Sequence, residues 1–520
     1  MNGIMQLINA WLLILISRQA IAHRILFIDP IGTKSHHNSY VPLCFELVNR
    51  EHDVTFLSFA RSGIKHENFT ERIIEGANEI SKKFVSNMFD NKEESFHIFK
   101  VLWKNVNLMS EVALMMHENE KLKQIIHQDY DLVVFSLIFS ELMLPIATER
   151  GIPFIVISPN ALFGGYSKYF GVQIHPSYVP SLMTKYVPPL KFLERVFNSV
   201  IELSLVLIMK ALFSYSSEPI VRQYFPTVNS LDELFYMNSG VLINTHLNTA
   251  YSVPLPENVV EIGGIHCRPS KPLPKDLEDF IDEGKDGFIL LSLGSAIPMK
   301  YVPEKKRQAL FNVFSKLSQQ VFIKWDGEAP STVPSNVKLL KWAPQQDLLG
   351  HSNIRLFVTH GGLYSLQEAI FHSTPVIGIP VGNDQGQNLA RAEKEGYAKV
   401  LTWEELDENT LGSAINEVLY NESYKINAER LSNIFRDQPE TPLQRAVYWI
   451  EYIIRHKGAH HLKHPGLHLP WYQTSLFDVL LFLGAIVLII VYINFVIARR
   501  ILQKITRGTK TPVTKNKKKQ

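Results

Sequence analysis

The chain has 520 residues, which is too long for one hydrophobic core and typical of two domains with additional segments. Charged residues make up 20% of it, and nine of the 53 Lys and Arg residues follow Val479 without any acidic residue, leaving 44 basic against 50 acidic residues before that point. Such a mildly acidic body excludes general nucleic-acid binding, so no nucleic-acid partner is expected.

The N-terminus is typical of a secretory leader. An apolar run around Trp11–Ile16 precedes a small-residue A-x-A pattern at 20–22, so residues 1–22 are predicted to be a signal peptide. An uncleaved signal anchor is the alternative, because no basic side chain precedes the apolar run.

Residues 23–262 are predicted to form a first Rossmann-like domain. The domain is predicted to begin with a strand at Arg24–Asp29, followed by a loop at 31–38, a helix ending near Arg50 and a strand at Asp53–Ser58. This order is typical of a doubly wound α/β domain, in which the loop after the first strand lies where ligands bind.

Further buried strands are predicted at 131–135 and 153–158 of the same domain, with a helix around 141–150 between them. The stretch 163–224 is aromatic and contains several prolines, with an apolar helix near 200–213. It is predicted to line an acceptor pocket or to lie on a bilayer.

A Pro-rich linker at 263–276 leads to a second strand and helix alternation at 277–440. This domain opens with the apolar strand and Gly-Ser turn at 287–295, a turn suited to phosphate. A final helix near 443–456, within a crossing-back and juxtamembrane segment at 441–478, is predicted to return to the first domain.

The strongest chemical signal lies in the second domain, in residues 342–385. A short strand at 356–359 runs into the turn His360-Gly361-Gly362 and then a helix. Backbone amides at two glycines, the helix N-terminus and the histidine together predict an anion site.

The other parts of a nucleotide-sugar are matched nearby. Glu368, about two turns along the helix, can accept hydrogen bonds from ribose hydroxyls, and Trp342 offers a flat face to a base. Asp384 and Gln385 suit sugar hydroxyls. Each residue alone has an ordinary structural explanation, and it is their combined spacing that favours a nucleotide-sugar.

The apolar and basic sequence of the C-terminal region predicts a membrane anchor. Residues 479–498 are long and apolar enough to span a bilayer as one helix, and the basic segment 499–520 follows at once. This order predicts a single-pass type I protein. Lys517 and Lys518 resemble a dilysine signal for retrieval to the endoplasmic reticulum, although binding anionic lipid is an alternative role.

Two sequons, at Asn68 and Asn421, are then expected to face the lumen and to carry glycans. The two cysteines, Cys44 and Cys267, lie far apart in sequence and are predicted to be free thiols.

Four segments together resemble the UDP-glycosyltransferase family, specifically its animal, membrane-bound members: WAPQQDLLGH (342–351), VTHGG (358–362), the Ser365 and Glu368 spacing, and GIPVGNDQ (378–385). The resemblance implies an α/β GT-B fold, with two facing Rossmann-like doubly wound domains and a single C-terminal transmembrane helix.

For function, the resemblance implies transfer of a hexose from a UDP-sugar to a hydroxyl or similar group of a small lipophilic acceptor. The UDP-sugar is a co-substrate, and neither a cofactor nor a metal ion is implied. Homo-oligomers and hetero-oligomers both stay open. A Rossmann dehydrogenase is disfavoured, since no G-x-G-x-x-G follows the first strand of either domain.

The family's catalytic histidine matches His36, with His37 as the alternative because a one-residue change of register would exchange them. The positions that match the family's donor-binding residues are Ser295, Trp342, Gln345, His360, Gly362, Ser365, Glu368, Asp384 and Gln385.

One departure from the family concerns the base. The family usually places a carboxylate after the strand at 131–135 to orient the histidine, and this chain has Ser136-Leu137 there. Three outcomes are open. Glu141 or another group substitutes, the acceptors are acidic enough to need little base, or the chain is a catalytically impaired partner subunit that binds UDP-sugar.

A second departure concerns the donor. Family members that use glucuronic acid carry an arginine where this chain has Val253, so a neutral hexose, glucose above all, is favoured over UDP-glucuronic acid. Tyr364 and Asn383 also differ from residues common in vertebrate members, and they are expected to reshape the phosphate and sugar subsites.

Overall fold

The computed structural model divides the chain into two compact units, Met1–Lys463 and His464–Gln520. The residues that it describes are 22–31, 34–89, 108, 111–137, 140–294, 298–299, 302–330, 332–467 and 469–508. Residues 1–21 of the predicted leader, Ser295, and the tail lysines Lys517 and Lys518 lie outside these described residues.

The first unit contains two all-parallel sheets. One sheet has seven strands in the order β3-β2-β1-β4-β5-β6-β7. Its strands are β1 Arg24–Asp29, β2 Asp53–Ser58, β3 Phe69–Ile73, β4 Leu132–Ser136, β5 Phe154–Ser158, β6 Val241–Ile243 and β7 Val259–Glu261. β1 is an interior strand, as expected for a strand whose residues after Arg24 are all buried.

Helices cover both faces of this sheet. They are α1 Lys34–Asn49, α2 Ala77–Phe89, α3 Glu120–Ile126, α4 Pro145–Thr148, α5 Phe192–Leu212, α6 Glu218–Tyr224 and α7 Leu231–Tyr236. Further helical residues lie at 111–118, with 3₁₀ turns at Ser140–Leu142 and Gly164–Phe170 and a π turn at Phe213–Ser217.

The second sheet has six strands in the order β10-β9-β8-β11-β12-β13. Its strands are β8 Phe288–Ser292, β9 Gln320–Lys324, β10 Val337–Leu340, β11 Ile354–Thr359, β12 Val376–Gly378 and β13 Ala398–Val400. Its helices are α8 Lys275–Asp282, α9 Glu304–Phe314, α10 Gln345–Leu349, α11 Leu363–Phe371, α12 Gln385–Lys394, α13 Glu408–Tyr420 and α14 Ser423–Arg436.

The last helix of this unit, α15 (Pro442–Arg455), returns to the first sheet as the sequence predicts. Ala446, Val447 and Ile450 are buried in one hydrophobic cluster with residues of β1, β2, β4 and α1. Thr441 caps the helix by accepting a hydrogen bond from the Gln444 amide at 3.2 Å.

The order of strands defines where ligands bind in each sheet. In the first sheet the direction of chain progress reverses between β1 and β4, and in the second between β8 and β11. Clefts at the carboxyl ends of such strand pairs are the usual ligand sites of doubly wound sheets. β1 and β4 end at Asp29 and Ser136, and β11 ends at Thr359 beside His360.

Two predicted elements differ from the structure. The helix expected over 141–150 is a 3₁₀ turn followed by α4, because Pro145 lacks an amide hydrogen and begins a new helix. α5 begins at Phe192, before the predicted 200–213, where the Glu194 carboxylate accepts the Lys191 amide at 2.7 Å and satisfies the helix start.

Two helical runs of the described chain are long and apolar enough to cross a membrane by length and composition alone, Phe192–Tyr224 and Phe477–Arg507. The first contains α5, which exposes several large apolar side chains. The second belongs to the C-terminal unit, whose helices are α16 (Trp471–Thr474) and α17 (Phe477–Gly508). α17 contains the predicted span 479–498 and extends beyond it at both ends.

Candidate active site

His36 lies in the first turn of α1, directly after the loop that follows β1. Its half-buried ring faces Tyr364 of α11, with ring centroids 5.8 Å apart. Burial lowers the pKa of His36 to about 4, so the ring is neutral near pH 7. A neutral imidazole facing the second sheet is able to accept a proton from an acceptor bound between the sheets.

His37 has quite different surroundings, although it is the next residue. It is 0% exposed, and its ring stacks on Phe56 with centroids 5.2 Å apart and contacts Phe59 edge-on. Its Nδ1 lies 3.8 Å from Oδ2 of Asp29. The two histidines thus separate, His36 toward the second sheet and His37 into the core of the first.

Ser136 ends β4 where the family resemblance led us to expect a carboxylate. Its Oγ lies 3.4 Å from the Tyr40 hydroxyl. Glu141, a sequence candidate to replace that carboxylate, is buried with Ser217 and Tyr166 instead, and burial raises its pKa to about 7. Whether Glu141 or another group replaces the missing carboxylate stays a prediction.

The predicted anion turn lies at the switch point of the second sheet. His360 is buried between two glycines, and a Cβ at Gly294 or Gly362 would lie 2.5 or 2.7 Å from its ring. Burial, assisted by the charge of Lys324, lowers the pKa of His360 to about 4. The neutral ring can donate one hydrogen bond to a phosphate oxygen.

Lys324, at the end of β9, was not identified from the sequence. Its ammonium donates to the Gly294 carbonyl at 2.8 Å and pairs with Asp326 at 3.3 Å. From the sequence alone, a lysine at the end of an apolar strand cannot be told from the many lysines that end strands at a protein surface. Only the sheet order, which sets β9 beside β8, brings this cation to the anion turn.

Three predicted donor residues meet on one side of α11. Gln345 Nε2 donates to Glu368 Oε2 at 2.5 Å and to Ser365 Oγ at 3.1 Å. Burial raises the pKa of Glu368 to about 7, opposed by the Gln345 hydrogen bond. His266 Nε2 is 3.7 Å from Glu368, but burial lowers the pKa of His266 to about 4, so this contact is not an ion pair near pH 7.

Trp342 is 56% exposed, as a base-stacking residue requires. The ammonium of Lys34, at the start of α1, lies 4.2 Å above the ring. This cation–π contact joins the two sheet-bearing halves and occupies one ring face.

Asp384 and Gln385 lie at the start of α12. Gln385 Oε1 accepts the amides of Val381 and Gly382 at 2.7 and 3.0 Å, so its carbonyl holds the turn and its amide nitrogen is the group available to a sugar. Burial raises the pKa of Asp384, opposed by a hydrogen bond from Asn388 at 2.9 Å.

Direct hydrogen bonds connect the two halves around this site. The Ser39 hydroxyl donates to the Tyr364 hydroxyl at 2.9 Å, and Gln367 donates to Asn244 at the same distance. Tyr364, which differs from residues common in vertebrate members of the family, is therefore a structural link between the halves.

A cavity lies between the same elements. From the first half it is lined by Phe163, Tyr251 and Val253 among others, and from the second by Asp384 and Arg391. The Arg391 guanidinium lies 4.6 Å from the Tyr251 ring centroid, and burial lowers the pKa of Arg391. Sequence reasoning missed Arg391, which is separated from Asp384 by two helical turns.

Within the described residues, no group of three or more His, Cys, Asp and Glu side chains is arranged to hold a metal ion. Both cysteines are free thiols, Cys44 buried and Cys267 partly buried.

Two facing parallel sheets with these switch-point residues define a GT-B glycosyltransferase. Solved structures support this fold. The glycosyltransferase VinC in complex with DTDP matches with a TM-score of 0.57 at 15% identity, covering 83% of this chain and 100% of that one. A UDP-glucosyltransferase from Polygonum tinctorium matches with a TM-score of 0.54 at 14% identity, covering 84% and 99%.

Sequence comparison is more specific. A family model described as UDP-glucoronosyl and UDP-glucosyl transferase matches residues 34–511. UDP-glycosyltransferase UGT5 of Dactylopius coccus is 32% identical over 96% of both chains. UDP-glucuronosyltransferase 2B7 of Homo sapiens is 32% identical over 88% of this chain and 90% of its own. The chain belongs to the UDP-glycosyltransferase family and is a hexosyltransferase.

Proposed function

We propose that this enzyme transfers a hexose, glucose in the first instance, from a UDP-sugar to a hydroxyl of a small lipophilic acceptor, with His36 as the base. The observation that carries this proposal is the position of His36. Its ring lies at the carboxyl end of the first sheet and faces α11, the helix that bears Ser365 and Glu368.

The proposed donor site follows the order of the UDP-sugar. Trp342 stacks on the base, Glu368 accepts from the ribose hydroxyls, and Asp384 binds the sugar. Lys324 and the turn at His360, at the N-terminus of α11, balance the negative charge that develops on the leaving diphosphate. No step requires a metal ion.

The proposed reaction is a single displacement. The acceptor oxygen forms a bond to the anomeric carbon while its proton passes to a ring nitrogen of His36. The bond between that carbon and the UDP oxygen breaks, and the electron pair leaves with UDP. The neutral state of His36 near pH 7 supports this role.

A second donor, UDP-glucuronic acid, is favoured by Arg391. Val253 is apolar and cannot pair with a sugar carboxylate, but Arg391 lines the same cavity as Asp384. Its Nε and Nη1 are buried without a hydrogen-bond partner among the described residues. A guanidinium with unused donors is suited to a carboxylate ligand.

We further propose that α17 crosses the membrane once, with the sheets in the lumen of the endoplasmic reticulum. This rests on the apolar length of Phe477–Arg507 and on the nine basic residues after Val479.

The test is a turnover assay on microsomes that contain the full chain, with UDP-glucose and UDP-glucuronic acid offered separately to a panel of phenols and alcohols. We expect glucoside formation that His36→Ala abolishes and that His127→Ala, which alters an exposed histidine, leaves unchanged. Arg391→Gln should lower turnover selectively with UDP-glucuronic acid if that sugar is a donor.

Two results would contradict the proposal. Equal activity in the wild type and His36→Ala would remove His36 from the reaction. Binding of UDP-sugar without product from either donor would identify a donor-binding partner subunit instead.

A further inference from the structure

The carboxyl end of β1 carries a carboxylate that no part of the proposed reaction uses. Asp29 is 1% exposed at the end of the strand that pairs with β4. The register sets Ile28 opposite Phe135, so Asp29 and Ser136 are the next pair along the two strands. The residue opposite Ser136, where a carboxylate is missing, is therefore itself an aspartate.

This aspartate is poorly explained as a structural residue. Both of its carboxylate oxygens and both ring nitrogens of His37 are buried without a hydrogen-bond partner among the described residues. Leaving such groups unsatisfied is costly, and buried polar groups in proteins are nearly always hydrogen-bonded. Nδ1 of His37 lies 3.8 Å from Oδ2 of Asp29.

Asp29 lies 3.8 Å from the ring of His37, the residue next to His36. Burial raises the pKa of Asp29, opposed by His37 and Ser136. Burial raises the pKa of Tyr364, whose ring faces His36, and the Asp29 charge adds to that rise.

We infer that Asp29 is the positioning carboxylate of this active site, moved from the end of β4 to the end of the neighbouring strand β1. Through His37 it holds the first turn of α1, and so the ring of His36, in the orientation that accepts the acceptor proton. It also supplies negative charge beside the imidazolium as that ion forms. Asp29 itself exchanges no proton, and the inference rests on the proposed function.

The first test is Asp29→Asn in the full-length membrane-bound enzyme, which keeps the size of the side chain. We expect kcat to fall at least about 100-fold while KM for the donor stays within about twofold, because the residue acts on the base and not on UDP. Asp131→Asn, which alters the aspartate directly before β4 that accepts the Arg24 amide at 2.8 Å, is the matched control and should change kcat less than about threefold.

The second test moves the carboxylate back. Adding Ser136→Asp to Asp29→Asn should restore kcat at least about tenfold, because the new carboxylate starts from the opposite residue of the strand pair. A folding defect in Asp29→Asn would not be repaired in this way. Loss without rescue, or Asp29→Asn activity within about threefold of wild type, would overturn the inference.

The same variants separate this inference from the proposed function. If the wild type binds UDP without turnover and Ser136→Asp alone creates turnover, the family reaction is correct and Asp29 does not serve it. If no variant binds UDP or turns over, the proposed function fails, and the role of Asp29 fails with it.

Discussion

At the residue scale, identical side-chain types acquire different roles from their surroundings. His36 and His37 are neighbours in sequence, yet one faces α11 and the other is enclosed by Phe56, Phe59 and Asp29. Only the first can touch a substrate between the sheets. Sequence spacing alone left the choice open, since both residues lie in the first turn of α1.

The raised pKa of Glu368 leads to a prediction about pH dependence. Burial raises its pKa to about 7, so it is protonated below and ionised above that pH. The ionised form only accepts hydrogen bonds and suits two ribose hydroxyls. We therefore expect KM for the UDP-sugar to fall about tenfold between pH 6 and pH 8.

Steady-state kinetics across that range measure this effect. In Glu368→Gln the donor KM should be higher and should no longer depend on pH. Glu417→Gln alters a carboxyl group whose pKa is lowered by hydrogen bonds from Tyr424 and Lys399, and it should keep the wild-type profile. An unchanged slope in Glu368→Gln would assign the titration to another group.

At the element scale, the β11 to α11 turn depends on one backbone conformation. Gly361 has φ = +84°, a left-handed value that other residues adopt with strain. A Cβ at this position would also lie 2.4 Å from Cγ of Leu389 on α12. The close approach of α12 to this turn is possible only because the residue is glycine.

Gly361→Ala should therefore destabilise the protein by about 1–3 kcal/mol and weaken UDP binding, because α12 must move away from the turn. Thermal unfolding and calorimetric titration with UDP measure both effects. Gly412→Ala is the matched control, since its Cβ would meet open space within α13, and it should raise stability by up to about 1 kcal/mol. Equal behaviour of the two variants would contradict the argument.

At the scale of the whole molecule, the proposed reaction uses residues of both sheets. Side chains of the two halves contact each other there: the Lys34 ammonium lies over the Trp342 ring, and the Ser39 hydroxyl donates to the Tyr364 hydroxyl. Because α15 packs on the first sheet, the chain passes between the two halves a second time.

The proposed topology predicts glycans on both sequons. Asn421 is exposed after α13, and Asn68 is partly exposed beside the edge strand β3. We expect glycosidase-sensitive mass at both sites, with higher occupancy at Asn421, as measured by glycopeptide mass spectrometry. Asn421→Gln and Asn68→Gln should each remove one glycan. Unmodified asparagines at both sites would indicate that the sheets face the cytosol.

Much of the fold followed from the sequence. Strands at Arg24–Asp29 and Asp53–Ser58 were predicted with their exact bounds, since a buried parallel strand is a short apolar run with polar residues at its ends. The family, the α/β class and the GT-B architecture are confirmed. The membrane span, the signal peptide and the roles of the site residues stay predictions.

What the sequence determined by itself was local: apolar periods, the glycine turn at His360, and the spaced donor residues of 342–385. The tertiary structure decided which distant residues meet, because strand order and register are set by packing over the whole sheet. Asp29 opposite Ser136 and Lys324 beside Gly294 are such pairs. No short stretch of the chain contains the information that joins them.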